Sequence, residues 1–295
     1  MHTPPLPPRT YSDRLREAGE PGQRAPLDEA ARSSVILPPP PGLSGQIDLC
    51  WGTPGTAGLG ITLHDFFPDA GAHLIFRHSP RGCRAVLLGP TTERATVERE
   101  AGAEYLAIRF RAGQAPRLAD VGSAELTNGF VELTRLGGLP IEAVAERLRL
   151  LPDLASRQRA LAELLRAEAP PLVRDVRCRR ATLLLEAHGG QLRVEALAAE
   201  LGLNVRGLER LFVQHFGMTP KRMSRLVRLR NVLGALHSGA FSNLGELAHA
   251  CGYSDQSHLI RDFKELTDRL PGDKDAFLNR RLSHPETRVI HRYRP

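Results

Sequence analysis

The 295-residue sequence holds only four cysteines, Cys50, Cys83, Cys178 and Cys251, and no two of them form a CxxC pair. That spacing encodes neither a disulfide framework nor a zinc ribbon, and lone thiols fit a reducing cytoplasm. No stretch approaches the roughly 20 consecutive apolar residues that span a bilayer, so no membrane partner is expected. The N-terminus lacks the apolar run of a secretory signal and is rich in proline instead. Catalytic signatures are missing as well. His64, His73 and His78 make no closely spaced pair with a carboxylate at ligand distance, and no GxSxG turn presents a serine nucleophile. These absences argue against an enzyme, and neither a cofactor nor a metal is expected.

What is present is a duplication. VEALAAELGLNVRGLERLFVQHF at 194–216 recurs in looser form as LGELAHACGYSDQSHLIRDFKEL at 244–266. Each copy reads as a short Ala-rich helix, a turn at Gly202 or Gly252, a polar cap and a second helix. Aligning the glycines sets Leu197 over Leu247 and Ala198 over Ala248. It also sets Leu208 over His258 or Leu259, with Phe212 near Phe263. The drift of one residue means a longer second turn or a later second helix. Small residues let two helices cross closely, and glycine tolerates the left-handed backbone of so tight a turn. This is the pattern of a helix-turn-helix, and two copies imply two helices entering nucleic acid.

Charge separates along the chain in the same sense. Residues 171–295 carry 21 Lys and Arg against 13 Asp and Glu, a net of +8, whereas residues 1–170 carry 19 against 20, a net of −1. Phosphate neutralisation requires such an excess. Its peak is KRMSRLVRLR at 221–230, between the two copies. Met223, Leu226, Val227 and Leu229–Leu233 give it an apolar stripe, which predicts one long connecting helix. Lys221, Arg222 and Arg225 would then face the DNA backbone, unless the run is only a solvated helix face.

In the first recognition helix Asn204 is the cap, and Arg206 and Arg210 share one face with Glu209 beside them. Leu208, Leu211 and Phe212 point to the core. Arginine suits guanine O6 and N7, and glutamate can accept from cytosine N4. Contact with phosphate alone remains open for the arginines, as does an intrahelical ion pair for Glu209. In the second helix Asp255 takes the capping role, and Gln256, Ser257, His258 and Arg261 form the exposed surface. Glutamine pairs well with adenine, and serine can bond to a base or a phosphate. His258 could equally be a surface histidine bonded to backbone or water.

Residues 172–282 resemble the DNA-binding domain of the AraC/XylS family of bacterial transcription regulators. The likeness runs through LAAELGLNVRGLERLFVQHFGMTP, through Arg228 and Leu229, and through LAHACGYSDQSHLIRDFKEL. Thr267, Asp268 and Leu270 depart from the family pattern, which puts the closing helix in question. The resemblance implies that Gln256, His258 and Arg261 face the groove. It also implies that the two helices meet adjacent major grooves about 34 Å apart, with some bending of the DNA. Double-stranded DNA and RNA polymerase are the implied partners, and activation is the family's tendency.

The remainder is quieter. Residues 1–45, with MHTPPLPPRT and LPPPPGL, read as a Pro-rich, poorly ordered arm, and residues 283–295 as a basic tail. From 46 to 135, IDLCW, HLIFRH, AVLLG and EYLAIRF read as strands between Gly and Pro turns, which predicts a small β-barrel or sandwich. The family resemblance implies a cupin-like sensing barrel there. Its inward positions are expected at Leu74, Phe76, Val86, Leu88, Leu106, Ile108 and Phe110, around a ligand cavity or a solid core. Residues 136–171 return to helical periodicity. Their two apolar stripes would pack on the barrel or form a homodimer surface, and Pro170–Pro171 marks the boundary. The expected fold class is α+β: a small cupin-like barrel, a helical connection and an all-α domain with two helix-turn-helix motifs. A protein-binding scaffold and a metal-dependent barrel enzyme are the competing classes.

Overall fold

The computed structural model describes residues 9–10, 35–53, 61–100, 102–118, 121–122, 124–136, 138–168, 175–238 and 241–272. Most of the proline-rich arm, the Pro170–Pro171 boundary and the tail at 283–295 lie outside the described residues.

Eleven strands occur among the described residues: β1 Arg9–Thr10, β2 Val35–Leu37, β3 Ile47–Thr53, β4 Ile61–Phe66, β5 Ala72–Ser79, β6 Gly82–Leu88, β7 Ala95–Glu100, β8 Glu104–Phe110, β9 Gly129–Leu133, β10 Arg135–Leu136 and β11 Leu139–Pro140. Seven of them form one antiparallel sheet in the order β1-β9-β6-β5-β8-β3-β2, while β4 pairs with β7 and β10 with β11. All four strands read from sequence are present. β1 and β2 come from the stretch expected to be an arm, and they pair at the two edges of the sheet.

The sheet does not close among the described residues: β1 and β2 stand at opposite ends of its order. The cupin-like barrel expected from the resemblance is replaced here by an open sheet, covered on one face by helices. α1 spans Ile141–Arg149 and α2 spans Leu154–Glu168, separated around Pro152. Ile141, Val144 and Leu148 of α1 and Leu161 and Leu165 of α2 are buried in one cluster with Leu74, Phe76, Ile108 and Phe110. The apolar stripes that could have served a dimer are thus covered by the sheet.

The same packing corrects the expected lining. Val86 lies opposite Ile75, and Leu88 opposite His73, in the β5–β6 register. Side chains alternate between faces along a strand, so these two lie on the face away from Leu74 and Phe76. Ala85 and Leu87 take the helix-covered face instead. On that face Leu74, Leu87, Ile108 and Phe110 pack into the core. The opposite face carries a smaller cluster of Leu49, Trp51, Tyr105 and Ala107 with Ile75 against it, which is why β3 is buried along its whole length.

The C-terminal half is helical: α3 Val176–Ala187, α4 Val194–Glu200, α5 Val205–Phe216, α6 Pro220–Ser238, α7 Leu244–Ala250 and α8 Gln256–Thr267. The spacing of Leu208, Leu211, Phe212 and Phe216 puts all four on the buried side of α5. Met223, Leu226, Leu229 and Val232 of α6 join them, as do Leu247, Ala248, Leu259 and Phe263. α6 therefore serves both helix pairs as a shared core helix. Phe67, Ala70 and Ala112, from the sheet half, belong to this cluster too.

All four thiols are free. Burial pushes Cys50 and Cys178 up to about 12, and Cys83 and Cys251 up to about 11, so each stays protonated at neutral pH.

Candidate nucleic-acid interface

The two helix pairs share one plan. The turns pass through Gly202 at φ 65° and Gly252 at φ 79°, conformations that strain any residue with a Cβ. The Asn204 side chain then caps α5, accepting from the Gly207 amide at 2.7 Å, and Asp255 caps α8, accepting from the His258 amide at 2.8 Å. Each cap satisfies an amide that would otherwise have no partner in the first turn. The drift in the sequence is one extra residue between Gly252 and its cap. Both recognition helices then run 12 residues. Counted from the caps, Leu208 matches Leu259, Phe212 matches Phe263, Arg210 matches Arg261 and Val213 matches Lys264.

Their ends match as well. α5 stops at Gly217 with φ 63° and α8 at Asp268 with φ 55°, both left-handed. Aspartate is among the few residues that tolerate this region. The buried Thr267 hydroxyl donates to the Phe263 carbonyl at 2.7 Å. The departure from the family pattern at 267–268 therefore still closes the helix.

On the outward faces Arg206, Glu209 and Arg210 of α5 are exposed, as are Gln256, Ser257 and Arg261 of α8. Among the described residues no ion pair ties Glu209 to either arginine. His258 is only half-exposed. Its ring stands edge-on to Tyr253 at 5.1 Å, with its Nδ1 3.1 Å from the Ser254 hydroxyl.

The basic connector differs from its sequence reading. Lys221 is exposed, but the arginines of α6 are engaged within the protein. Arg222 donates to the Thr92 carbonyl and lies 3.7 Å from Glu265. Arg225 donates to Asp262 at 2.6 Å and pairs with Glu265 at 2.8 Å. Arg228 donates to the Gly190 carbonyl at 3.0 Å and lies over the Tyr253 ring. Arg230 donates to Asp48. Asp262 is buried, and it also accepts from the Tyr253 hydroxyl at 2.9 Å. Burial, then the neighbouring Asp262 carboxylate, push the Tyr253 phenol well up. No local signal marks Asp262, at a core position matching Leu211, as the holder of a connector arginine.

These contacts dock the sheet onto the helical domain. The side chain of Asp48 on β3 is fully buried and accepts from Arg109 at 2.8 Å, with Arg111 at 3.4 Å and Arg230 completing its surroundings. Arg109 also donates from Nε to Asp69 at 2.7 Å, and His73 lies 2.9 Å from the same carboxylate. Burial raises the Asp69 carboxyl, but Arg109 and His73 outweigh it and hold the group well below the usual carboxylate range. Arg111 reaches Glu186 of α3 at 2.6 Å. The Thr127 hydroxyl donates to the Phe216 carbonyl at 2.9 Å, at the end of α5, and Arg94 lies 3.6 Å from Asp268, at the end of α8. The sheet thus touches both helix pairs and the helix between them. None of these contacts uses Arg206, Arg210 or Arg261.

Two other features bear on ligands. A cleft of about 300 Å³ lies between the sheet and α1–α2, lined by Phe76, His78, Leu106, Leu148, Leu154 and Arg157. Asp175, Cys178 and His215 bring three possible metal-ligand atoms within 4.8 Å of one another. The oxygens of Asp175, however, cap α3 and pair with Arg177, and the Cys178 thiol is held protonated by burial. That chemistry does not suit a ready metal site.

Two capped helix pairs of one design, sharing a central helix, define a tandem helix-turn-helix domain. Residues 197–275 match the family described as a helix-turn-helix domain, and residues 36–132 match one described as a domain of unknown function (DUF6597). The HTH-type transcriptional activator RhaS of Pectobacterium atrosepticum is 36% identical over 75 residues, covering 25% of this chain and 26% of that protein. RhaS of Klebsiella pneumoniae is 33% identical over 110 residues, covering 35% and 39%. The matches therefore span well under half the length of these curated relatives. A transcriptional regulator with an AraC-type DNA-binding domain from Chromobacterium violaceum is 25% identical, covering 36% of this chain and 92% of that one, with a TM-score of 0.32. ToxT from Vibrio cholerae is 9% identical, covering 84% and 98%, with a TM-score of 0.46. Over its C-terminal domain the chain is similar to AraC-type transcription regulators.

Among the described residues no helix is long and apolar enough to cross a membrane.

Proposed function

We propose that this chain is a sequence-specific, DNA-binding transcription regulator, an activator that works with RNA polymerase in the cytoplasm. The observation that carries this reading is the matched pair of recognition helices. Both are capped three residues before a matching backbone amide, both run 12 residues, and both present an exposed arginine at the same place, Arg210 and Arg261. Arg206, Glu209 and Arg210 would read one major groove, and Gln256, Ser257 and Arg261 the next. Lys221 would hold phosphate between them. Arg222 and His258 have partners inside the protein, so their share in contacting DNA is smaller than the sequence suggested.

A signal, from a small molecule or a protein, would enter through the sheet half. The supporting observation is that Asp48 of β3 and the Thr92 carbonyl hold Arg230 and Arg222 of α6, the helix common to both readers. The cleft between the sheet and α1–α2 is the proposed place for a small molecule, and a homodimer is not required.

Selection of bound duplexes from a random library by the full chain tests the reading. The expected result is one enriched sequence with two recognised segments about one helical turn apart, bound at least 10³-fold more tightly than random DNA. Binding without sequence preference would refute it and favour a scaffold that uses the fold for protein contacts.

A further inference from the structure

We infer that Val213 is a base-reading residue of α5 and that it recognises the C5-methyl group of a thymine; this rests on the proposed DNA-reading role of α5. The other large apolar residues in the last three turns of α5, Leu208, Leu211, Phe212 and Phe216, are buried at 6% exposure or less, whereas Val213 is 52% exposed. Core packing therefore does not explain a valine there.

Its position on the helix does. Seven residues fall about 20° short of two full turns, so Val213 lies almost directly in line with Arg206. Glu209 and Arg210, three and four residues on from Arg206, flank that line on either side. Val213 is thus an apolar spot in the middle of a charged, groove-facing strip. The major-groove edge of DNA offers one apolar feature, the thymine methyl, and short apolar side chains are the groups that meet it.

The second helix supplies an internal comparison. The residue matching Val213 there is Lys264, which is exposed. At one structural position, then, one recognition helix carries a cation suited to phosphate and the other a β-branched hydrocarbon that phosphate cannot hold. The two helices divide the work: α8 grips the backbone where α5 reads a methyl.

The experiment uses the full chain and duplexes selected from a random library, with Val213→Ala and Val213→Lys beside the wild type. Each thymine of the selected duplex is replaced in turn by deoxyuridine, which removes the methyl and keeps the pairing. Burying one such carbon is worth about a fourfold change in affinity. At one thymine the wild type should lose about that factor, and Val213→Ala should bind the thymine and uracil duplexes equally. Val213→Lys should lose preference at the same base pair, bind random DNA more tightly, and steepen the salt dependence by about one phosphate contact. Because Val213 is exposed, both variants should keep the wild-type melting temperature, and a matching melting curve confirms that each comparison is between folded proteins. An enriched sequence whose thymines respond to deoxyuridine identically in wild type and Val213→Ala overturns this inference alone. Failure of the wild type to enrich any sequence overturns it together with the DNA-reading role on which it rests.

Discussion

Replacing Asp48 with asparagine keeps the shape of the side chain and removes the charge at the centre of the docking network. The carboxylate is wholly buried, and Arg109 beside it has a side chain only 3% exposed. Removing one partner of a buried pair costs about 3–5 kcal/mol, because the other charge is left without compensation. Here every arginine around Asp48 keeps a second acid: Arg109 has Asp69, and Arg111 and Arg230 have Glu186. That places the expected loss near the lower bound, about 3 kcal/mol, or about 6–12 °C in melting temperature for a chain of this size. Urea denaturation of wild type and Asp48→Asn, with Glu200→Gln as a control, measures it. Glu200 pairs with Arg180 at 3.4 Å, with both side chains more than half exposed, so its loss should stay below about 1 kcal/mol. A double-mutant cycle between Asp48→Asn and Arg230→Gln should show coupling, since the pair joins sheet to helix. Equal, small effects for Asp48 and Glu200, with no coupling to Arg230, would refute the docked arrangement.

Arg222→Ala should lower stability by disturbing the Thr92 contact while leaving the salt dependence of DNA binding unchanged; a slope reduced by about one unit would restore it to the phosphate-binding set. Asn204→Ala removes the α5 cap and should cost about 1 kcal/mol, read by chemical denaturation, whereas Asn204→Asp should cost far less. The Asp69 carboxyl is held low in the folded state, so its contribution is fully present above the unfolded value of about 3.9 and fades as pH falls through the folded value. The difference in stability between wild type and Asp69→Asn should accordingly be constant from pH 7 to 5 and shrink below pH 4; a difference that grows on acidification has the opposite sign and would refute the assignment.

The helical domain was legible because its signals are local. Gly202 and Gly252 mark turns by backbone conformation, Asn204 and Asp255 mark helix starts by side-chain chemistry, and Leu208–Phe212 and Leu259–Phe263 mark the core by period. The four longer strands were legible for the same reason. What stayed hidden depends on partners distant in sequence. Asp48 gives no local sign that it meets Arg230, and nothing around Asp262 announces Arg225. β9 sits in a half-buried stretch whose only hydrophobic cue is Phe130–Leu133, and it becomes a strand by pairing with β6. The facing of Val86 was missed because period 2 tells which residues share a face but not which face is inside. Strand spacing predicts a barrel or a sandwich without choosing between closed and open, and likeness to a family added the cupin-like barrel; the described strands leave an open sheet with one face covered by α1 and α2.

The charge excess of the C-terminal half now takes on a different meaning. Of the five cations in KRMSRLVRLR, four, Arg222, Arg225, Arg228 and Arg230, have carboxylates, carbonyls or a ring as partners within the protein. The distant field of a basic domain depends on its net charge, and that field still draws DNA toward it. The grip at contact depends on which cations can leave water for phosphate without abandoning a buried acid, because an orphaned Asp262 or Asp48 would cost more than a surface phosphate contact returns. Lys221, Arg206, Arg210, Arg261 and Lys264 are exposed and free of that penalty, and they lie on the recognition helices and at the very start of α6. In the proposed regulator the connector arginines would act on DNA indirectly, by fixing α6 between the sheet and the two helix pairs and so setting the separation of the recognition helices.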